Sequence, residues 1–163
     1  MKRMALIAAV SAAMSLLVAV AFGVGGASGA APGSSDQDAR GHHAKRILGT
    51  WAVEVTPAGE APFQAIVTFS AGGGVVETES TTPGTGLGSW ESRGGGRFAV
   101  TFQRFEFDAE GAPAGRVVVR TEVTVSGGRF SGPFKFDAID PAGNVVFSGQ
   151  GTATGTRFAV QPL

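Results

Sequence analysis

Two pairs of charged residues are the candidates for chemistry in this chain of 163 residues: Glu77 with Glu79, and Arg104 with Glu106. The members of each pair are two positions apart, which places them on one face of a β-strand. Two neighbouring carboxyls can act as general acid and general base when their surroundings give them different pKa values. Because nothing in the sequence supplies different surroundings to Glu77 and Glu79, we predict no acid–base pair there.

The orientation of Arg104 and Glu106 depends on whether their strand is regular. In a regular strand they continue the inward apolar face, whereas Phe105 and Phe107 point outward. A buried charged pair of this kind would itself suggest a functional site. A β-bulge near Gln103 would reverse the parity and bring the aromatic rings inside. We expect the bulge, because burying two charges while exposing two phenylalanines is the more costly arrangement.

The usual catalytic, metal-binding and cofactor-binding patterns are missing from the sequence. There is no Cys, and the His residues are His42 and His43, an adjacent pair without further ligands at metal-binding spacing. The acidic turns lack the spacing of a calcium loop, and no nucleophile elbow, phosphate loop or dinucleotide fingerprint occurs. We therefore predict a protein without catalytic residues, metal or cofactor, and not an enzyme.

Charge and composition favour a folded β-domain without a polyanionic partner. Lysine and arginine together number 13, which equals the number of acidic residues, so no basic excess indicates nucleic acid. Apolar residues make up 43% of the chain and charged residues 16%, a balance that supports a core. The many Gly, Val, Thr and Phe residues favour strands and turns over helices.

The N-terminal segment has the organisation of a signal peptide. Lys2 and Arg3 precede an apolar run, Ala5–Phe22, and Ser28-Gly29-Ala30 fits a small-x-small cleavage site. We predict a signal-peptide helix over residues 1–30, cleavage near Ala30, and a mature protein that is secreted or held in the periplasm or cell envelope. The run is close to the roughly 18 residues that span a bilayer, so an uncleaved membrane anchor is the alternative. Residues 31–44 are small, polar and aperiodic, and we predict a disordered linker.

Residues 45–163 show period-two alternation interrupted by Gly- and Pro-rich turns at regular spacing, which predicts eight strands and no long helix. The predicted strands are Leu48–Thr56, Phe63–Ser70, Val75–Ser80, Gly88–Ser92, Arg97–Phe107, Gly115–Ser126, Arg129–Ile139 and Val145–Thr156. Short turns between successive strands predict an all-β, antiparallel, up-and-down arrangement. We prefer a closed barrel to a sandwich, because closure removes both exposed sheet edges.

The first and last strands carry a pattern that resembles the lipocalin-like calycins. Gly49-Thr50-Trp51 matches the Gly-x-Trp that opens the first strand of those barrels, and Arg157 stands near the end of the last strand. The resemblance implies that Trp51 closes the barrel floor and that the Arg157 guanidinium packs across its ring. The coarse plan is also similar to the avidin, allene oxide cyclase and dirigent barrels. Biotin binding is not implied, because the chain has no Tyr for such a site.

An eight-stranded barrel either fills its interior with side chains or leaves room for one small ligand. We expect an apolar ligand in the barrel mouth, with Trp51, Trp90, Phe102, Arg104 and Phe134 as the binding residues. One alternative is a solid-core envelope or surface protein that binds a partner through its outer face. A second alternative is a cyclase or isomerase that acts mainly by shaping an apolar substrate. The oligomeric state does not follow from the sequence.

Overall fold

The structure, a computed structural model, describes residues 46–162, and these fold into a closed barrel of eight antiparallel strands. The strands are β1 (Gly49–Pro57), β2 (Phe63–Phe69), β3 (Gly74–Glu79), β4 (Gly86–Gly94), β5 (Arg97–Phe107), β6 (Pro113–Ser126), β7 (Arg129–Ile139) and β8 (Val145–Arg157). Each strand pairs with the next, and β8 pairs back with β1. The prediction of an all-β, up-and-down barrel is confirmed.

The predicted signal-peptide helix and linker lie outside the described residues. Within the described part of the chain, no helix is long and apolar enough to cross a membrane.

Closure depends on glycines in β8 that lie opposite phenylalanines in β7. Phe130 pairs with Gly155, and Phe136 pairs with Gly149. A Cβ at Gly155 would stand 2.3 Å from the Phe130 ring, and one at Gly149 would stand 2.4 Å from the Phe136 ring. The aromatic rings therefore occupy the space that side chains of β8 would need, which lets β8 approach closely while the rings cover it.

Trp51 closes one end of the barrel, which we call the floor. Its ring is fully buried, lies 5.0 Å from the Phe130 ring, and donates its Nε1–H to the Ile47 carbonyl oxygen at 2.7 Å. The Arg157 guanidinium carbon lies 4.1 Å from the centre of the indole, within cation–π distance. Arg157 also donates to the Leu48 carbonyl oxygen, so it ties the end of β8 to the chain that enters β1.

Trp90 fills the other half of the floor. Its ring meets the rings of Phe69 and Phe98 edge-on, at centroid distances of 6.4 and 5.8 Å. Its Nε1–H donates to the Ser70 carbonyl oxygen at 3.0 Å, which satisfies its polar atom in a largely apolar setting. The two tryptophans thus form a packed base beneath the interior.

The prediction of a bulge near Gln103 is wrong. Strand β5 pairs with β6 in continuous register from Arg97 to Glu106, and the register shifts only between Glu106 and Phe107. Arg104 and Glu106 therefore point into the barrel, while Phe105 and Phe107 are 63% and 61% exposed on the outside. The cost of burying the charges is offset because they pair with each other and with an acidic residue of β3.

Candidate functional site: an apolar cavity with an acidic cluster

The barrel encloses a cavity of about 270 Å³ above the tryptophan floor. Its walls are mostly apolar and come from strands all round the barrel, including Val53, Val67, Phe102, Val119, Phe134 and Ala153. An apolar cavity of about 150 Å³ is large enough to bind benzene. This interior therefore has room for a molecule nearly twice that size, such as a fused two-ring system.

The cavity reaches solvent at the end opposite the floor. Glu60, in the turn between β1 and β2, and Thr81 and Thr82, in the turn between β3 and β4, belong to its lining. Glu60 and Thr81 are exposed, so the cavity extends from the core to the rim.

Arg104 is the centre of a charged cluster on the cavity wall. Its Nη1 lies 2.6 Å from Glu79 Oε2, and its Nε donates to Glu106 Oε1 at 2.8 Å. The Arg104 side chain is 15% exposed. Burial works against the charged guanidinium, but the hydrogen bonds and charges of Glu79 and Glu106 outweigh it and raise the pKa of Arg104. Arg104 is therefore a permanent cation shared by two carboxylates.

Glu77 is the third carboxyl of this cluster and has a different environment. The residue is 4% exposed, and its Oε2 has no hydrogen-bond partner among residues 46–162. Burial, reinforced by repulsion from Glu79 and opposed by Arg104, raises the pKa of Glu77 from 4.5 to about 7. At neutral pH this carboxyl is therefore poised between its neutral and ionised forms.

The different surroundings of the two β3 glutamates contradict the prediction made from the sequence. Glu79 has a guanidinium partner. Glu77 lies two residues earlier on the same strand, and its Oε2 has no hydrogen-bond partner among the described residues. Different surroundings of this kind allow two neighbouring carboxyls to take separate roles in acid–base sites. The expectation that nothing distinguishes Glu77 from Glu79 is therefore wrong.

Glycine in β4 allows side chains from two non-adjacent strands to meet. Gly86 pairs with Glu77, and a Cβ at Gly86 would stand 2.7 Å from Glu77 Oε2 and 2.9 Å from the Phe102 ring. The carboxyl of β3 and the ring of β5 therefore share the space above β4. The ion pair between Glu79 and Arg104 likewise joins β3 and β5, the two strands on either side of β4.

The structure brings together three of the five residues predicted to bind a ligand. Phe102, Arg104 and Phe134 line the cavity, whereas Trp51 and Trp90 lie in the floor beneath it. Glu77 and Glu79 are not among the residues predicted to bind a ligand, although both line the cavity. The sequence did contain a signal for this position, because both glutamates lie on the same face of β3 as the buried residue Val75.

Metal coordination finds no support at this cluster. Over residues 46–162, no group of three or more His, Cys, Asp or Glu side chains is arranged to hold a metal ion. Two of the cluster's three carboxyls are instead directed to the Arg104 guanidinium.

Comparisons with known proteins do not assign this chain to a family. No family model matches it, and no curated protein matches it. Among solved structures, a redesigned β-barrel is similar at 20% sequence identity and a TM-score of 0.49, over 72% of this chain and 96% of the design. The barrel assignment therefore rests on the chain's own strand pairing, and membership of the lipocalins or calycins stays a prediction.

Proposed function

We propose that this protein is an exported, lipocalin-like barrel that binds one small apolar ligand in its mouth and does not catalyse a reaction. The observation that carries this proposal is the cavity of about 270 Å³, with apolar walls and an opening at the rim. Pockets in the mouths of barrels are common ligand sites. The signal-peptide pattern of residues 1–30 supports export.

The solid-core alternative is less well supported, because side chains do not fill the space above the floor. It retains one favourable observation, which is the exposure of Phe105 and Phe107 on the outer face of β5. A partner-binding surface there predicts a dimer whose fraction rises with protein concentration in light scattering. A monomer at all concentrations would count against that alternative.

Calorimetric titration of the full chain with 1-naphthylmethanol, a neutral two-ring probe, tests the ligand-binding proposal. Ala153 lines the cavity and its neighbour Thr154 is exposed on the outer face, so the two offer a matched pair of substitutions. We expect Ala153→Phe to fill the cavity and abolish binding, and Thr154→Phe to leave binding unchanged. Equal loss in both variants, or no binding by the unaltered protein, would contradict the proposal.

Native mass spectrometry of protein purified from its own host provides a second test. The proposal predicts an additional mass of a few hundred daltons that organic solvent removes. Repeated absence of any bound mass, together with no binding of the neutral probe, would argue for a different function.

A cyclase or isomerase is the second candidate function, favoured by the half-buried Arg104–Glu106 pair and by the buried Glu77. A carboxyl with a pKa of about 7 in an apolar cavity has the properties of a general acid or base at neutral pH. A substrate whose turnover is lost in Glu77→Gln or Glu106→Gln, while binding is retained, would establish catalysis. Turnover that survives both substitutions would dismiss these residues as acid or base.

A further inference from the structure

We propose that the ligand is an apolar amine, whose ring or chain fills the cavity and whose ammonium group pairs with the Glu77 carboxylate. This inference rests on the proposed function, since it assumes that the cavity binds a small apolar molecule. It adds the chemical class of that molecule and names the side chain that selects it.

The charge balance of the cavity favours a cation. Glu77, Glu79 and Arg104 line the cavity, and Arg104 also holds Glu106, so the cluster contains three carboxyls and one guanidinium. With all four groups ionised, the cluster has two negative charges in excess, and Glu60 adds another at the rim. An ammonium group would reduce this excess, whereas a carboxylate would increase it.

Arg104 is not available to an anionic ligand in the way that a free guanidinium would be. Its Nη1 and Nε atoms are held by Glu79 at 2.6 Å and by Glu106 at 2.8 Å. An incoming carboxylate would compete with both residues and would remain close to their charges. The guanidinium of the cluster is therefore already paired, whereas one of its carboxyls is not.

Glu77 is that unpaired carboxyl. It is 4% exposed, it lines the cavity, and its Oε2 lacks a hydrogen-bond partner within the described part of the chain. Buried polar atoms in folded proteins nearly always have a partner, so an unpaired one at a cavity wall indicates a place for a ligand group. The terminal torsion of a glutamate is soft, so either oxygen can turn towards the ligand.

The surroundings of Glu77 contain few other groups that could titrate with it. Glu79 stands on the same strand, Arg104 of β5 lines the same cavity and is paired with Glu106, and Glu60 stands at the rim. Strand β2 has no ionisable side chain. The ionisable residues of β4, Glu91 and Arg93, are exposed and paired with each other at 2.8 Å. The Glu54 side chain of β1 is exposed on the outer face.

Amine binding should therefore release a proton from Glu77. The carboxyl is mostly neutral below its pKa of about 7, and an ammonium group stabilises the ionised form. If only the carboxylate binds, the apparent dissociation constant scales with the inverse of the ionised fraction. The affinity for an amine should then be about 100-fold weaker at pH 5 than at pH 8.

The test is calorimetric titration of the full chain with three ligands that share one ring system: 1-naphthylmethylamine, 1-naphthylmethanol and 1-naphthoate. Each is measured at pH 5, 6 and 8, in two buffers of different ionisation enthalpy. We expect the amine to bind most tightly at pH 8, to weaken about 100-fold by pH 5, and to release nearly one proton at pH 6. The alcohol should bind without this trend, and the carboxylate should bind most weakly.

Glu77→Gln identifies the residue responsible, and Glu54→Gln is the matched control. The first substitution should abolish the advantage of the amine over the alcohol, its pH dependence and its proton release, while binding of the alcohol persists. The second should change none of these. Circular dichroism checks that each variant is folded, and the comparison of amine with alcohol in the unaltered protein needs no variant.

The outcomes separate this inference from the function on which it rests. If the alcohol binds as tightly as the amine at pH 8, or the carboxylate binds more tightly, the amine inference is overturned while the ligand-binding function stands. Persistence of proton release in Glu77→Gln would overturn the role of Glu77. If none of the three ligands binds, both the function and the inference fail.

Discussion

Replacing Glu77 with Gln should stabilise the protein at high pH and leave its stability nearly unchanged at low pH. The folded state raises the pKa of this carboxyl from 4.5 to about 7. It therefore holds the proton more tightly than the unfolded chain does. The contribution of Glu77 to stability is fully present below pH 4.5 and is lost as the pH rises through about 7.

The size of the effect follows from the shift in pKa. A difference of about 2.5 units, at about 1.36 kcal/mol per unit, corresponds to about 3 kcal/mol between pH 4.5 and pH 8. Residual solvation through the cavity mouth makes this an upper value. Glutamine has nearly the same shape but cannot ionise, so the variant should gain up to about 3 kcal/mol over the unaltered protein at pH 8.

Urea unfolding of the full chain, followed by the fluorescence of Trp51 and Trp90, measures this difference. Curves for the unaltered protein and for Glu77→Gln are compared at several values between pH 4.5 and pH 8. Glu54→Gln, an exposed substitution on the outer face of β1, should follow the unaltered protein throughout. A stability difference for Glu77→Gln that does not change with pH would refute the assignment of a buried, unpartnered acid.

Three further predictions concern charge pairing, barrel closure and export. Arg104→Met leaves the carboxylates of Glu79 and Glu106 without their cation, so it should destabilise the fold by about 3–5 kcal/mol; equal urea midpoints for variant and unaltered protein would contradict this. Gly155→Ala places a Cβ against the Phe130 ring and should cost about 1–3 kcal/mol in the same assay, whereas the exposed change Thr154→Ala should cost little. N-terminal sequencing of protein exported by its host should begin at residue 31, and an intact leader in the mature protein would indicate an anchor instead.

The barrel could be predicted from the sequence because its signals are local. Alternation of apolar and polar residues marks each strand, and glycine or proline marks each turn, so the predicted strand ends lie within about two residues of those observed. The pairing of Trp51 with Arg157 likewise joins two recognisable strand ends. Closure then follows from the need to pair the remaining sheet edges.

The charged cluster could not be predicted in the same way because it depends on tertiary register. The alternation within each strand indicates which face of β3 carries Glu79 and which face of β5 carries Arg104. Contact between the two side chains also requires that β3, β4 and β5 pair in the observed register. Glycine at position 86 likewise leaves room on the inner face of β4 for the Glu77 carboxyl and the Phe102 ring, which no pattern within one strand indicates. Judged within a single strand, Arg104 and Glu106 cost too much to bury, and only their partner on β3 reverses that balance.

The most direct test of this account is a crystal structure of the protein with 1-naphthylmethylamine at pH 8. We expect the ring to lie in the cavity between Val67, Val119 and Phe134, with the ammonium nitrogen within hydrogen-bond distance of Glu77. An interior closed by collapsed side chains, or a ligand that lies only on the outer surface of the barrel, would contradict it.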